Sequence, residues 1–442
     1  MKRYIIALVV VVLALCAYLF VSKKFNSQVQ DIPENSNPNV SSVVGAFGGS
    51  WSGKLNVGAV ALTLVLNVEQ HDGYVVCSMD SPDQGAKGIG AYKDYLMLDS
   101  IALKFPQLGA TYQAKLNDNK LVGTFTQMGM SFPLTMERGE YAPNRPQNPT
   151  EPYPYKTEQV TFFNAQDNAT LAGTLTYPVN YTDAKQVPVV VMVSGSGLQN
   201  RDEELMGHKP FLVIADYLAR NGVATLRYDD RAFGESVGGD RIHNQALTPD
   251  YKRDAEAAVN YLKSLEKFAS IGVLGHSEGA SIAFMLGSEG LVDFVISMAG
   301  IGVKGDAALT AQANEVMHLQ GQGTQQTVQE YRLNALSVNN EWLNWFIDYN
   351  PTQHITTTKC PVFAINGTKD CQIICSQNVP AIKRALPQNS KSVVKEYAGL
   401  NHLFQECQTG LPNEYSTIEQ TICPTVLYDM SQWINSLMVE YP

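Results

Sequence analysis

Residues 271 to 284 read IGVLGHSEGASIAF, an apolar run followed by Ser277 between Gly275 and Gly279, then small and apolar residues. A serine flanked this way, where a strand turns into a helix, fits the G-x-S-x-G pattern of a nucleophilic serine. The glycines have a steric task. The turn forces the serine into a strained backbone conformation, and a side chain at either neighbour would strike adjacent strands. The hydroxyl is thereby lifted clear of the sheet, at the positive end of the following helix.

A serine hydroxyl needs a base, and the base needs an orienting acid. Serine sites of the strand–turn–helix type place these along the chain in the order Ser, acid, His, with the acid after a late strand and the histidine after the last one. Of the seven histidines, His318, His354 and His402 follow Ser277. The first two fall in a helical stretch; His402, in YAGLNHLF, follows the final apolar strand and is the expected base. Asp370, in AINGTKDCQI, is the expected acid, with Asp306 after the preceding strand as its rival. An oxyanion would take one backbone N–H from Glu278. The second is expected from the SGSG turn at Ser196, or else at Gly197.

The elements that must carry these residues alternate along the chain. QVTFFNA and ATLAGTLTYP read as a hairpin, followed by strands VPVVVMV, VATLRYDDR, IGVLGHS, FVISMAG, PVFAING and SVVKEYAG, with helical segments between and after them. Continuous apolar strands separated by helices imply a mostly parallel, doubly wound sheet with helices on both faces. Chemistry on such sheets gathers beyond the carboxyl ends of the strands. The interlude from Gly305 to Pro351 contains EWLNWF, whose Trp342, Trp345 and Phe346 recur at helical spacing. That stripe reads equally as core packing and as pocket lining.

Upstream, residues 45–140 show short alternating segments such as KLNVGAVALTLVLNVEQ and TYQAKL, broken by Gly, Asn, Asp and Pro. This is an antiparallel β-domain, a small barrel or a sandwich. The stretch 141–154, YAPNRPQNPTEPYP, is proline-rich and reads as a stiff linker to a second domain over 155–442. At the other end, Lys2 and Arg3 precede an unbroken apolar run over 4–21, closed by Lys23 and Lys24. Residues 1–24 thus read as an export signal whose length suits both a cleaved signal peptide and a retained membrane anchor. Residues 25–44 form a polar tether, and the protein is expected to be exported, in the periplasm or cell envelope.

Net charge is −10, which provides no positive surface for phosphates and sets nucleic acid aside. Export makes disulfides an expectation for Cys77, Cys360, Cys371, Cys375, Cys407 and Cys423: Cys407 with Cys423 would close one loop and Cys371 with Cys375 or Cys360 another, spacing leaving the connectivity open; buried free thiols are the alternative. HSE followed by CQIIC lacks zinc-site spacing, and GSGLQN lacks the third glycine of a dinucleotide loop. No cofactor and no metal is expected. The acid–base pairs around Asp229, Asp230 and Arg231, and around Arg201, Asp202 and Glu203, read as internal scaffold ahead of substrate contacts.

Gly275–Gly279 with Asp370 and His402, SGSGLQNRDE after one strand and RYDDRAFGES after the next resemble exported bacterial α/β-hydrolases of the serine esterase and prolyl-oligopeptidase-like kind. The resemblance covers about 155–442, and the upstream stretch is similar to the small β-domain often found ahead of such hydrolase domains. It implies an α/β-hydrolase fold with a helical cap inserted at about 305–351. It also implies hydrolysis of a small acyl ester or, alternatively, of short peptides or amides by an aminopeptidase or dipeptidyl-peptidase-like enzyme. A large propeller that screens peptides does not fit into the upstream domain, which favours the ester. Ala232 departs from the glycine more usual after the arginine of that loop.

Overall fold

The computed structural model describes residues 45–438, apart from 58–59, 72–73, 85, 98, 184–186, 243–244, 322, 324 and 339. The expected export segment and tether lie outside the described residues. Among those described, no helix is long and apolar enough to cross a membrane. The chain forms two compact units: one takes in residues up to Asn144 with Tyr415–Thr417, the other Arg145–Glu414 and Ile418 onward.

The first unit is a closed antiparallel barrel of β1 (Gly49–Val57), β2 (Val60–His71), β3 (Tyr74–Ser81), β4 (Ala86–Leu96), β5 (Ser100–Phe105), β6 (Ala110–Asn117), β7 (Lys120–Gln127) and β8 (Met130–Arg138). Each strand pairs with the next, and β8 returns to β1 through Trp51↔Arg138. Alternation explains the interior. On β6, Ala110, Tyr112 and Ala114 are buried while Gln113 and Lys115 face out. Trp51, Leu66, Met79, Ile101, Phe105, Leu121 and Met136 fill the barrel with side chains. Gly123 lies at a close approach, since a Cβ there would sit 2.1 Å from the Gln113 carbonyl. Of the two architectures open to the sequence, the closed barrel is the one formed.

The second unit is an α/β-hydrolase fold. Its strands are β9 (Thr157–Asn164), β10 (Ala169–Thr176), β11 (Val187–Val193), β12 (Ala224–Tyr228), β13 (Val237–Gly238), β14 (Phe268–His276), β15 (Phe294–Met298), β16 (Val362–Gly367) and β17 (Val393–Tyr397). They run in the order β13-β10-β12-β11-β14-β15-β16-β17, with β9 on β10. From β12 to β17 all pairings are parallel; β9, β10 and β13 are antiparallel. β11 is buried along its whole length, as its unbroken apolar sequence requires. Pro188, which cannot donate to a ladder, falls at the register shift that opens the β11–β14 pairing.

Helices cover both faces. Val189 and Val191 of β11 pack with α2 (Thr248–Ser264) and α3 (Glu278–Glu289), whereas Val190 and Met192 pack with α1 (Pro210–Arg220) and α9 (Pro424–Leu437). Between β15 and β16 lie α4 (Gly305–Leu319), α5 (Val328–Ser337), α6 (Glu341–Phe346) and α7 (Thr352–Thr356); α8 (Cys375–Ala385) follows β16. From β11 the chain leaves toward β12 on one side, and from β14 it leaves toward β15 on the other. The crevice at that divergence is where such sheets hold their ligands.

Two sequence expectations change here. The stretch that reads as a linker is bonded into the second unit from Arg145 onward: Arg145 donates to Met206 and Ile418 carbonyls, Gln147 to Ile422 and Asn148 to Gly207. Its prolines suit an extended run, and its polar side chains tie that run down. Nor do disulfides form among the described residues. Cys77, Cys360, Cys371, Cys375, Cys407 and Cys423 all carry free thiols. Cys371 Sγ instead donates to the Gly410 carbonyl at 3.2 Å and Cys407 Sγ to that of Gly399 at 3.4 Å. Burial pushes the Cys360, Cys371 and Cys375 thiols up to about 12.

Arg231 is wholly buried after β12, where its guanidinium meets Asp254 of α2 at 2.7 Å and Asp167 of the β9–β10 turn at 2.8 Å. Its removal would leave the buried Asp254 without its cation, with only the Asn164 amide still donating to it, while Asp167 keeps Arg253 at 2.7 Å. The substitution Arg231→Met is therefore expected to cost about 3–5 kcal/mol of stability, read as a lowered urea midpoint; an unchanged midpoint would dismiss the scaffold role.

Candidate active site

Ser277 is half-buried at the junction of β14 and α3, with φ 55° and ψ −114°. A positive φ is uncommon at a residue with a side chain, and it is imposed by its surroundings. The Ser277 N–H donates to the Met298 carbonyl at 2.9 Å. A Cβ on Gly275 would stand 1.9 Å from the Gly279 carbonyl oxygen, and one on Gly279 would stand 2.2 Å from that of Val193 and 2.6 Å from that of Ser194. Both glycines are thus required by backbone-to-backbone contact. One on Gly195 would meet Ser277 Cβ at 3.3 Å, so the turn after β11 lies against the serine.

Asp370, after β16, has a fully buried side chain. Its Oδ1 accepts the Gln372 and Ile373 N–H groups, each at 2.8 Å, and its Oδ2 lies 2.8 Å from Nδ1 of His402. That spacing leaves Nε2 of His402 as the nitrogen able to exchange a proton with a substrate group. The loop bearing His402 is internally braced: Asn401 Oδ1 accepts the Leu403 and Gln405 N–H groups, while Asn401 Nδ2 donates to Gln405 Oε1. Gln405 also bonds the buried His208, whose Nδ1 meets Thr421 at 2.8 Å. The rival acid lies elsewhere. Asp306, on α4, is engaged by Arg332 at 2.8 Å and Lys304 at 3.2 Å.

Contact between the serine turn and the His402 loop runs through His276, the residue before the serine. The rings of His276 and His402 have centroids 4.7 Å apart, and Nε2 of His276 lies 3.0 Å from the His402 carbonyl oxygen. Nδ1 of His276 lies 2.9 Å from Glu203 Oε1, which also accepts the Gly195 N–H at 2.9 Å. Burial pushes the His276 imidazole down, but Glu203, the His402 carbonyl and Asp370 outweigh it and hold His276 above the ordinary histidine value. Neither His276 nor Glu203 stood out as functional in the sequence. The histidine just before the serine was the available signal.

Of the two expected donors, Glu278 N–H opens α3 and Ser196 N–H sits in an exposed turn; among the described residues neither has an intramolecular acceptor. Gly195 N–H, by contrast, is taken by Glu203. The turn is pinned from the β12 side as well. Asp230 accepts from the Ser194 hydroxyl and the Gln199 N–H, and Asp229 forms a two-point pair with Arg201. Burial pushes the Asp230 carboxyl well above the usual carboxylate range, against those two hydrogen bonds.

The cap aromatics divide. Phe346 is core, packed with Met285, Ile301 and Tyr349; Trp345 stacks on Tyr349 at 5.0 Å. Trp342 stacks on Phe346 at 4.9 Å and its indole N–H donates to Glu278 Oε1 at 2.8 Å. The buried Glu278 carboxyl also accepts from Thr248, and burial raises it above its ordinary value despite both donors. A cavity of about 690 Å³ beside Asp370 is lined by α4, α8 and the Asp370 loop, without Ser277, His402 or the cap tryptophans. Its position offers the serine no substrate berth.

Residues 209–341 match the Hydrolase_4 family, described as serine aminopeptidase, S33. The chain is 33% identical over 129 residues to Esterase EstD of Thermotoga maritima, a match covering 29% of this chain and 30% of EstD's length. Among solved structures, the Pyrococcus furiosus esterase Pf2001 aligns at 17% identity over 69% of this chain and all of its own, with a TM-score of 0.44. Est1E from Butyrivibrio proteoclasticus, bound to ferulic acid, aligns at 15% identity over 63% of this chain and 97% of its own, also at 0.44.

The crowding at Gly279 yields a direct test. The substitution Gly279→Ala is expected to displace the turn, lowering the melting temperature and slowing fluorophosphonate labelling of Ser277. Wild-type values of both would refute the close-packing argument.

Proposed function

We propose that the chain is a serine hydrolase that cleaves small carboxylic esters through an acyl-enzyme. The observation that carries this reading is the Asp370–His402 pair at 2.8 Å, on a loop held against the residue that precedes Ser277. Ser277 Oγ would attack the ester carbonyl carbon while His402 Nε2 takes its proton, with Asp370 fixing the tautomer and stabilising the imidazolium. Glu278 and Ser196 N–H groups would receive the oxyanion. On collapse, His402 returns the proton to the departing alcohol, and water then cleaves the acyl-enzyme by the same route. The esterase name of EstD supports the ester reading. The family match, described as serine aminopeptidase, supports a second reading, cleavage of short peptides or amides. Trp342, stacked in the cap and bonded beside the nucleophile, is assigned to the substrate pocket; Phe346 supports it from behind, and Trp345 packs on Tyr349. The apolar run at 4–21 and its basic flanks support export to the cell envelope, where that run would tether the chain to the membrane.

Hydrolysis of p-nitrophenyl esters from acetate to decanoate, run beside aminoacyl-nitroanilides, tests both readings. Ester turnover is expected in the wild type and to be abolished in Ser277→Ala. Cleavage of anilides alone would transfer the assignment to the peptidase. In Asp370→Asn, kcat is expected to fall by roughly 10³- to 10⁴-fold, and a loss under tenfold would remove Asp370 from the triad.

A further inference from the structure

His276 has two ring nitrogens and both face acceptors. Nδ1 is 2.9 Å from Glu203 Oε1 and Nε2 is 3.0 Å from the His402 carbonyl oxygen. A neutral imidazole carries one N–H, and a backbone carbonyl only accepts. The pair must therefore hold two protons between them. They sit either both on the imidazole, facing a carboxylate, or one on the imidazole and one on Glu203 Oε1. The Gly195 N–H decides between these, because it donates to the same Oε1 at 2.9 Å. An oxygen accepting from a backbone amide is best matched to the imidazole as a carboxylate.

The surroundings fit this state. Side chains of both residues are 8% exposed, so neither charge has water to compensate it and each depends on the other. The groups facing His276 are Glu203 from the loop after β11, the His402 ring and carbonyl from the loop after β17, and Asp370 from the loop after β16. Glu203 itself takes a positive φ of 51°, a conformation held by its contacts.

We infer that His276 is a buried imidazolium paired with Glu203, and that this pair is the positioning device that sets the turn after β11, the Ser277 turn and the His402 loop relative to one another. One carboxylate oxygen holds the first through Gly195. The imidazole is covalently part of the second and bonds the third. Loss of either charge loosens three catalytic loops at once without touching substrate. The inference rests on the proposed hydrolase reading for its catalytic meaning, but the protonation state stands independently of turnover.

The sign with pH follows. A histidine held above its ordinary value stabilises the fold fully below about pH 6.5, and that stabilisation is lost as pH rises through the native value. Activity is expected to show an alkaline limb for the same reason.

The test is nitrogen NMR of the full-length wild type with ¹⁵N-labelled histidine, the His276 signals being assigned by their loss in His276→Gln. Near-equal shifts of two protonated nitrogens at neutral pH are expected. A split pair, with one nitrogen unprotonated, overturns the inference. Kinetics then separates positioning from folding. In Glu203→Gln, kcat is expected to fall about 10- to 100-fold, with KM within about twofold and the alkaline limb moved to lower pH; Glu203→Asp, which keeps the charge, should restore part of both. A Glu203→Gln enzyme with the wild-type pH profile and kcat overturns the positioning role. If the wild type fails to label with a fluorophosphonate, the hydrolase reading falls, and the spectrum still judges the ion pair.

Discussion

The crossing of β14 into α3 admits no side chain at two points, and the rest of the second unit is arranged around that fact. Val193 pairs with Gly275 in the parallel ladder, and Gly279 returns to within contact distance of the same Val193 carbonyl. Three pieces of backbone therefore meet where most folds would place a side chain. The two glycines let these backbones approach, and the serine's positive φ of 55° is held by that packing. Close packing transmits such constraints because interiors have no slack. The turn after β11 lies against the serine for the same reason, so that turn and Ser277 are fixed by one contact.

Around this crossing, buried charge does what apolar packing cannot. Loops contribute little hydrophobic burial, so their positions must be specified by directional bonds. Arg231 with Asp167 and Asp254, Arg201 with Asp229, and Glu203 with His276 each join segments distant in sequence. Exposed pairs such as Lys104–Asp94 on the barrel are worth at most about 1 kcal/mol. The buried ones act differently: each fixes a geometry, because a partner that moves away leaves a charge without water.

Much of this was legible in the sequence, and what was not has a physical cause. Alternation in TYQAKL and the unbroken VPVVVMV distinguish the two kinds of sheet, because each reports how many faces are covered. The same alternation serves a sandwich and a barrel equally. Closure depends on β1 meeting β8, a pairing between chain segments far apart. The order of Ser277, Asp370 and His402 pointed to loops that one sheet edge gathers. Glu203 was read as scaffold, since its bond to His276 spans 73 positions and a left-handed glutamate has no sequence signature. Cysteine crowding suggested disulfides, but crowding along the chain does not bring sulfur atoms into bonding geometry. A proline-rich stretch reads as a spacer until Arg145 and Gln147 find acceptors across the fold.

The return of β8 to β1 has a consequence for how the first unit is built into the chain. Because Trp51 is paired with Arg138, the segments by which the polypeptide enters and leaves the barrel lie side by side. A closed sheet also offers no open edge for a stray strand. A module with adjoining ends and no free edge can be spliced into a loop, or excised from one, while the ends of the host loop stay together. In evolutionary terms such a barrel is portable: adjoining ends and a closed sheet let its eight strands be gained, lost or exchanged together.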